Sequence, residues 1–306
     1  MTQGALGAFL EATVRTATPL LLAATGELIV ERSGMIFVGL EGSIIAGALA
    51  AAAGAYVAGV FAGSVLAIAA GAVVALLFSL FVVRLRSEQI VTGTAITLLA
   101  VGATGALYQT IFGAQGAALR VPTVGVLAIP VLSALPVLGA ALFAQSVFTY
   151  GAVVLVAIVG WWMARTHAGL ALRACGERPS AARAAGIRTR RVRFVAAAAA
   201  GACGGLSGAA LVLAQSGTFA EGMSAGRGFI AIAVVALGRW TAPGVLVASL
   251  AFGAASALQY LFQAMGWSLP YQLFLALPYV ATLVALAAAR GGGAAPAALG
   301  RADTDG

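Results

Sequence analysis

The sequence predicts an all-α polytopic membrane protein with about eight to ten transmembrane helices, and three observations predict it. Of 306 residues, 62% are hydrophobic and 8% are charged, whereas an ordinary soluble domain carries about a quarter charged residues. Uncharged runs recur that are long enough to cross a bilayer core of about 30 Å, which takes roughly 20 helical residues. The basic residues also cluster: all seventeen are arginines, and eight of them lie between 165 and 193, the pattern that fixes topology by marking cytoplasmic loops.

From the N-terminus, residues 5–24 can span, although Glu11 and Arg15 make this helix partly amphipathic. Residues 25–42 hold Glu27, Glu31, Arg32 and Glu41 between apolar runs and predict a broken or short segment. Residues 42–83 carry no charge and give two passes with a break near Gly54–Gly59. Residues 89–119 give one pass, ending near Tyr108–Phe112. Pro122, Pro130 and Pro136 interrupt the next stretch, so 113–142 is expected to be an external loop with short helical pieces and 143–164 a pass ending at Trp161-Trp162.

Residues 194–216 give the next span. Residues 228–238 are apolar for only 11 residues, between Arg227 and Arg239. A run that short makes 222–240 a tilted, broken or re-entrant stretch. Residues 241–289 give two more passes around Gly266–Pro270, and the small, polar tail 291–306 is expected to be disordered, leaving 1–290 as the membrane domain.

Arg84, Arg86 and the loop 165–193 fall on one side, cytoplasmic by the positive-inside rule. That puts 113–142 and 217–226 outside, and a full crossing by 227–238 returns the C-terminus inside. Trp161, Trp162, Trp240 and Trp267 sit at expected span ends, as an interfacial belt does. The pairs Gly59/Gly63, Gly201/Gly205 and Gly204/Gly208 have the spacing that lets helices approach closely. Cys175 and Cys203 form no metal-ligand pattern and read as packing residues, and the first apolar run has no basic segment before it to suggest a cleaved signal.

Charge and motifs exclude several functions. Without lysine there is no phosphate-cradling GxxxxGK[ST] loop and no Schiff-base lysine. No catalytic residues, metal or bound cofactor are expected, and nucleic acid is not a partner, because no basic-aromatic stripe accompanies the arginines. Ser207 and Ser224 lie in GxSG and GxSxG patterns, but the one histidine, His167, is expected at the cytoplasmic end of a different span, on the opposite face from Ser224, and Ser207, though nearer, reads as a small residue in a glycine-packed helix, which speaks against a serine hydrolase. A secondary transporter is the alternative class, although it would normally carry more intramembrane carboxylates than Glu41.

The segment 176–187, GERPSAARAAGI, reads as a separate mechanical part. Pro179 suits a first helical turn, four alanines favour the helix, and Gly186 suits a left-handed stop, giving about two turns over 179–185. Such a helix cannot persist alone in water and needs something to pack against.

This segment resembles the EAA-type cytoplasmic coupling loop of ABC importer permeases. The chain is most similar to the branched-chain amino acid and simple-sugar permease superfamily, and within it to nucleoside-type permeases served by basic membrane lipoproteins. Further stretches carry the resemblance: Glu31–Gly34 leading into Gly39–Gly42, Val83–Arg86 followed by Gln89–Gly93, Gly226–Ala231, Gly238–Trp240, Pro270–Gln272 and Leu277–Tyr279. They cover about residues 10–288.

The resemblance implies a transmembrane subunit of an ATP-binding cassette importer in the bacterial cytoplasmic membrane. It implies a second permease subunit, favouring a heterodimer over a homodimer, and two cytoplasmic ATPase subunits or one fused ATPase. ATP and Mg would sit on those partners, and an extracytoplasmic lipoprotein would deliver substrate. Nucleosides are the first expected substrate, with simple sugars or branched-chain amino acids as alternatives. Carried onto this chain, Glu177, Arg178, Ala181, Ala182, Ala185, Gly186 and Ile187 would seat in the ATPase. Here Glu177 stands four residues before Ala181, not directly before the alanine pair, so the helix rather than a Glu177 ion pair is the expected docking unit.

Ionisable residues at membrane depth face a cavity or a partner. Glu41 and Arg227 therefore mark Gly39, Glu41, Gly42 and Ser43, with Gly226, Arg227, Gly228 and Phe229, as the expected translocation path. The competing reading is that the two charged residues are interfacial or paired residues that fix the fold.

Overall fold

The computed structural model describes residues 3–113, 120–130, 133, 138–264, 280 and 295–301. The second pass expected within 241–289, Trp267 and the Pro270–Gln272 and Leu277–Tyr279 motifs lie outside the described residues. Five stretches among the described residues are long and apolar enough to cross a membrane: Leu40–Arg84, Gln89–Phe112, Val147–Arg165, Thr189–Ser216 and Ala242–Gln259. The chain is an all-α polytopic membrane protein.

Helix α1, Gln3–Arg32, runs through residues expected to break it. Pro19 lies inside it and cannot donate to the carbonyl four residues back. That carbonyl, of Arg15, instead accepts from Gln215 Nε2 at 2.7 Å, and the Pro19 carbonyl accepts from Ser207 Oγ at 2.7 Å. Ser207 is thus a packing hydroxyl on α8, Thr189–Ala210.

Helix α2, Leu40–Ser79, is two arms folded back at Ala58 and Gly59, where φ reaches +83°. In one straight helix Gly54 and Gly63 would stand about 13 Å apart, but here a Cβ on Gly54 would lie 2.8 Å from Gly63 Cα. The expected pair of passes and its break are both present. A widened π-helical turn, Leu80–Arg84, ends the second arm.

Helix α3, Gln89–Phe112, starts on Glu88, whose side chain accepts from the Val91 N–H. That bond holds the Glu88 carboxyl below its ordinary range.

Helix α8 lies between the two arms of α2 on glycine surfaces. A Cβ on Gly201 would meet the Gly71 carbonyl and Ala75, one on Gly205 the Ala67 carbonyl, and one on Gly208 the Ile44 carbonyl. The Gly201/Gly205 and Gly204/Gly208 spacings therefore serve helix packing, each on a different arm of α2, whereas Gly59 of the third pair meets nothing within 4 Å. On its α1 side, Gly26 closes against Ala200 and Cys203. Because the atoms met are backbone, Gly205→Ala should cost about 1–3 kcal/mol through overpacking. Gly102→Ala, with nothing within 4 Å, should cost nothing. Thermal unfolding in detergent compares the two.

The loop expected to hold only short helical pieces contains a strand, whose partner takes up the first residues of the stretch expected as the next pass. Strand β1, Val126–Ala128, pairs antiparallel with β2, Ala144–Ser146, in the register Val126↔Ser146. The short helix α4, Leu138–Phe143, precedes β2. Tyr150 on α5, Val147–Arg165, closes the pair by donating to the Leu127 carbonyl at 3.2 Å. The β-branched Val-Pro-Thr-Val-Gly-Val run carries a strand signal that the prolines around it obscure.

Two crossings are built in halves. From the end of α1, residues 33–39 leave the helix in two turns joined by the irregular residues 35–37, and α2 begins where Gly204 of α8 packs on Leu40 and Ser43. Arg193 of α8 binds the Ser33 carbonyl. At about 1.5 Å per residue, Gly204 lies roughly 16 Å deeper than Arg193, so α2 starts well inside the protein. The other half-crossing enters from the opposite face. After the π-helical turn Leu211–Ser216, residues 217–226 lead into α9, Arg227–Leu237, which ends beside α1. Arg32 Nε there donates to the Trp240 carbonyl at 2.8 Å. The segment is therefore neither a plain span nor a hairpin return, but one crossing whose first half is bends and turns and whose second half is helical. Helix α10, Ala242–Ala264, then packs along α1 through Gly253.

The tail expected to be disordered holds a turn at 297–300 that is docked on the protein. Its Ala298 N–H donates to the Gly176 carbonyl at 2.9 Å. Small residues make the tail look unable to bury anything, but Pro296 and Ala298 are buried. The segment 295–301 lies on the same face as the 165–193 loop.

Candidate functional site

The half-helices meet at Glu41. The Gly226 N–H donates to Glu41 Oε1 at 2.8 Å and the Gly228 N–H to Oε2 at 2.6 Å. The carboxyl thus caps the N-terminus of α9, where orphan N–H groups and the helix dipole favour it. Its close approach requires glycine, since a Cβ on Gly228 would fall 2.6 Å from Glu41 Cα. The incoming turn is left-handed at Ala225 and Gly226, with φ +49° and +77°. The Arg227 guanidinium donates to the carbonyls of Met223 and Ser224 at 2.9 and 3.0 Å, fixing that turn.

The two stretches named from sequence are brought together, but not as lining of an open path in this conformation. Gly39, Glu41, Gly42, Ser43 and Gly228 are buried, Glu41 being 6% exposed. Gly42 faces Thr97 and Ala100 of α3, and Ser43 Oγ donates to the Gly71 carbonyl. Gly226 and Arg227 are half-buried, and Phe229 is 46% exposed. Phe229 opens a face of α9 continued by Ile232, Ala233 and Ala236.

The irregular residues 36–38 obtain hydrogen-bond partners in side chains. The Ile36 N–H donates to Gln89 Oε1 at 2.8 Å, the Phe37 N–H to Glu27 Oε1 at 2.9 Å, and Thr97 Oγ1 donates to the Val38 carbonyl at 3.3 Å. Backbone away from water must be satisfied in this way. Trp240 Nε1 donates to Glu31 Oε2, so Trp240 is a partner of a buried carboxyl rather than a belt residue. Sequence pattern does not single out Gln89, Glu27, Glu31 or Trp240 as site residues. Glu27 and Glu31 stand out there only as charges in an apolar run.

The second element is α7. Helix α6, His167–Glu177, is capped by Thr166 and ends where Arg178 leaves helical geometry. Helix α7, Pro179–Ala184, starts with Pro179 in its first turn. It stops in a Schellman arrangement: the Ile187 N–H donates to the Ala182 carbonyl, the Gly186 N–H to the Arg183 carbonyl, and Gly186 has φ +81°. Both ends are where the sequence puts them.

Among the seven residues expected to dock, Ala182 faces the protein at 3% exposed. Ala181, Ala185 and Gly186 are open, as is Ala184, which the sequence does not mark for docking. Ile187 is half-buried and Arg178 exposed. Glu177, itself exposed, stands 3.9 Å from the half-buried Arg32 of its own chain, a long pairing of small worth. Gly176 packs on the Arg32 carbonyl and on Gly34, so α7 hangs from the point where α1 hands over to the half-crossing.

The sequence profile of the family described as branched-chain amino acid transport system permease component matches residues 9–286. The chain is 34% identical to the nucleoside ABC transporter permease protein NupC of Lactococcus lactis, over 92% of both chains. It is 33% identical to the guanosine ABC transporter permease protein NupQ of Bacillus subtilis, over 96% of both. It is also 34% identical to a protein of Haloferax volcanii named as a candidate glucose ABC transporter permease, over 85% of this chain and 79% of that one. No solved structure matches.

Proposed function

The chain belongs to the family of branched-chain amino acid transport system permease components, and from that premise we propose that it is the nucleoside-conducting membrane subunit of an ATP-binding cassette importer, driven through α7. It works with ATPase and substrate-binding components in the membrane, the ATPases carrying ATP and Mg. A second permease subunit completes the pore, a different chain in preference to a second copy. The nucleoside reading rests on the named functions of the two relatives matched over nearly their whole length.

The observation that carries the mechanism is the capped, two-sided helix α7, with Ala182 turned inward and Ala181, Ala184, Ala185 and Gly186 turned out. A smooth outer face suits an ATPase groove, while Gly176 ties the inner side to the end of α1. Movement of α7 thereby reaches residues 33–39 and the Glu41 node. Glu41 holds the node together, and substrate passes along the open side formed by Arg227 and Phe229. The face bearing α7 is cytoplasmic, and its arginines meet the ATPase or anionic lipid headgroups.

Uptake into cells expressing the complete importer tests the substrate. Labelled guanosine should accumulate with ATP and be competed by other nucleosides but not by glucose. The candidate glucose relative supplies the competing reading, and competition by glucose with none by nucleosides would replace the nucleoside assignment with it.

A further inference from the structure

We infer that the C-terminal segment Pro296–Arg301 is a strap that clamps the joint between the coupling helix and the half-crossing, so that movement of α7 reaches residues 33–39 efficiently only while the strap is seated. This rests on the coupling reading above. The strap makes three connections outside its own turn, among the described residues. The Ala298 N–H donates to the Gly176 carbonyl at 2.9 Å, immediately before α7. The Gly300 N–H donates to the Gly34 carbonyl at 3.3 Å, where α1 gives way to the non-helical segment. Gln89 Nε2 donates to the Arg301 carbonyl at 3.4 Å, while its Oε1 holds the Ile36 N–H.

These are the parts that must move as one if α7 drives the membrane pathway. Gln89 is the hinge pin, since one side chain grips both the strap and the half-crossing. It is buried, as is Ala298 at 7% exposed. The fit is made of small groups. A Cβ on Gly34 would lie 3.3 Å from Gly176 Cα and 3.4 Å from Ala298 Cβ, so three backbones converge where no side chain separates them. The strap arrives with its own shape, closed by Leu299 N–H to Pro296 carbonyl and Arg301 N–H to Ala298 carbonyl bonds of 2.9 and 3.2 Å.

The test uses the assembled importer in vesicles with three forms of this chain: full length, a stop after Ala294, and full-length Ala298→Glu. Amide exchange of the full-length complex should show Ala298 and Gly300 protected. Both variants should still assemble and hydrolyse ATP, but substrate moved per ATP should fall about fivefold, the factor set by the net worth of roughly one hydrogen bond. Fast exchange at both amides, or variants that move as much substrate per ATP as the full-length chain, overturns the strap while leaving the importer reading standing. Absence of ATP-driven transport by the full-length complex overturns that reading and the strap with it.

Discussion

Deletion of residues 177–187 should leave a chain that inserts in the membrane but recovers no ATPase subunit and supports no ATP-driven uptake. Insertion survives because the deletion touches no membrane-crossing helix, and α8 and its glycine contacts with α2 begin after it. Association fails because the deletion removes the whole outer face of α7. A finer variant separates docking from folding. Ala185 is exposed beside the left-handed Gly186, so Ala185→Arg leaves the inner packing untouched and thermal stability unchanged. It should weaken ATPase association about thirtyfold, the factor that accompanies loss of a contact worth about 2 kcal/mol. Ala182→Arg, aimed at the buried side, should instead lower stability, because it places a charge where Ala182 is enclosed. Affinity measured on purified complexes distinguishes the two.

Replacing Glu41 by alanine is expected to be the most damaging single change. It strips the acceptors from the Gly226 and Gly228 N–H groups, inside the protein and at the start of a helix only 11 residues long. Leaving two such donors unsatisfied should cost about 3–5 kcal/mol. Uptake should fall to background, together with loss of thermal stability. Glu41→Gln keeps one acceptor oxygen and turns the other position into a donor facing an N–H, so it should fall between alanine and the parent. Full uptake by Glu41→Ala would contradict the node. Loss of uptake with unchanged stability would return Glu41 to the role of a path-lining group.

Much of this is legible in the sequence because it depends on local physics. The uncharged runs declare membrane solvent, the Gly54–Gly59 break follows from backbone freedom, and Pro179 and Gly186 start and stop α7 by their own geometry. The failures share a different cause, which is dependence on partners far along the chain. Residues 25–32 look like an interruption because Glu27 and Glu31 are charged. The helix continues because the Phe37 N–H and the Trp240 indole, the second 209 positions away, supply donors. The expense of Glu41 and Arg227 at membrane depth brings them together on paper, but which groups they satisfy depends on the turn at Ala225–Gly226. Ala182 and Ala185 are chemically identical, and only packing decides that one faces in and the other out. The docked tail depends on matching glycines at 34 and 176 that no local pattern connects to it.

The central claim is that α7 is the surface through which ATP hydrolysis is coupled to this chain. A photo-reactive residue at Ala185, illuminated in membranes containing the assembled importer, tests it most directly. It should cross-link to the nucleotide-binding subunit, and the same probe at Leu127, on the strand pair remote from α7, should not. A cross-link to that subunit from Leu127 and none from Ala185 would contradict the claim.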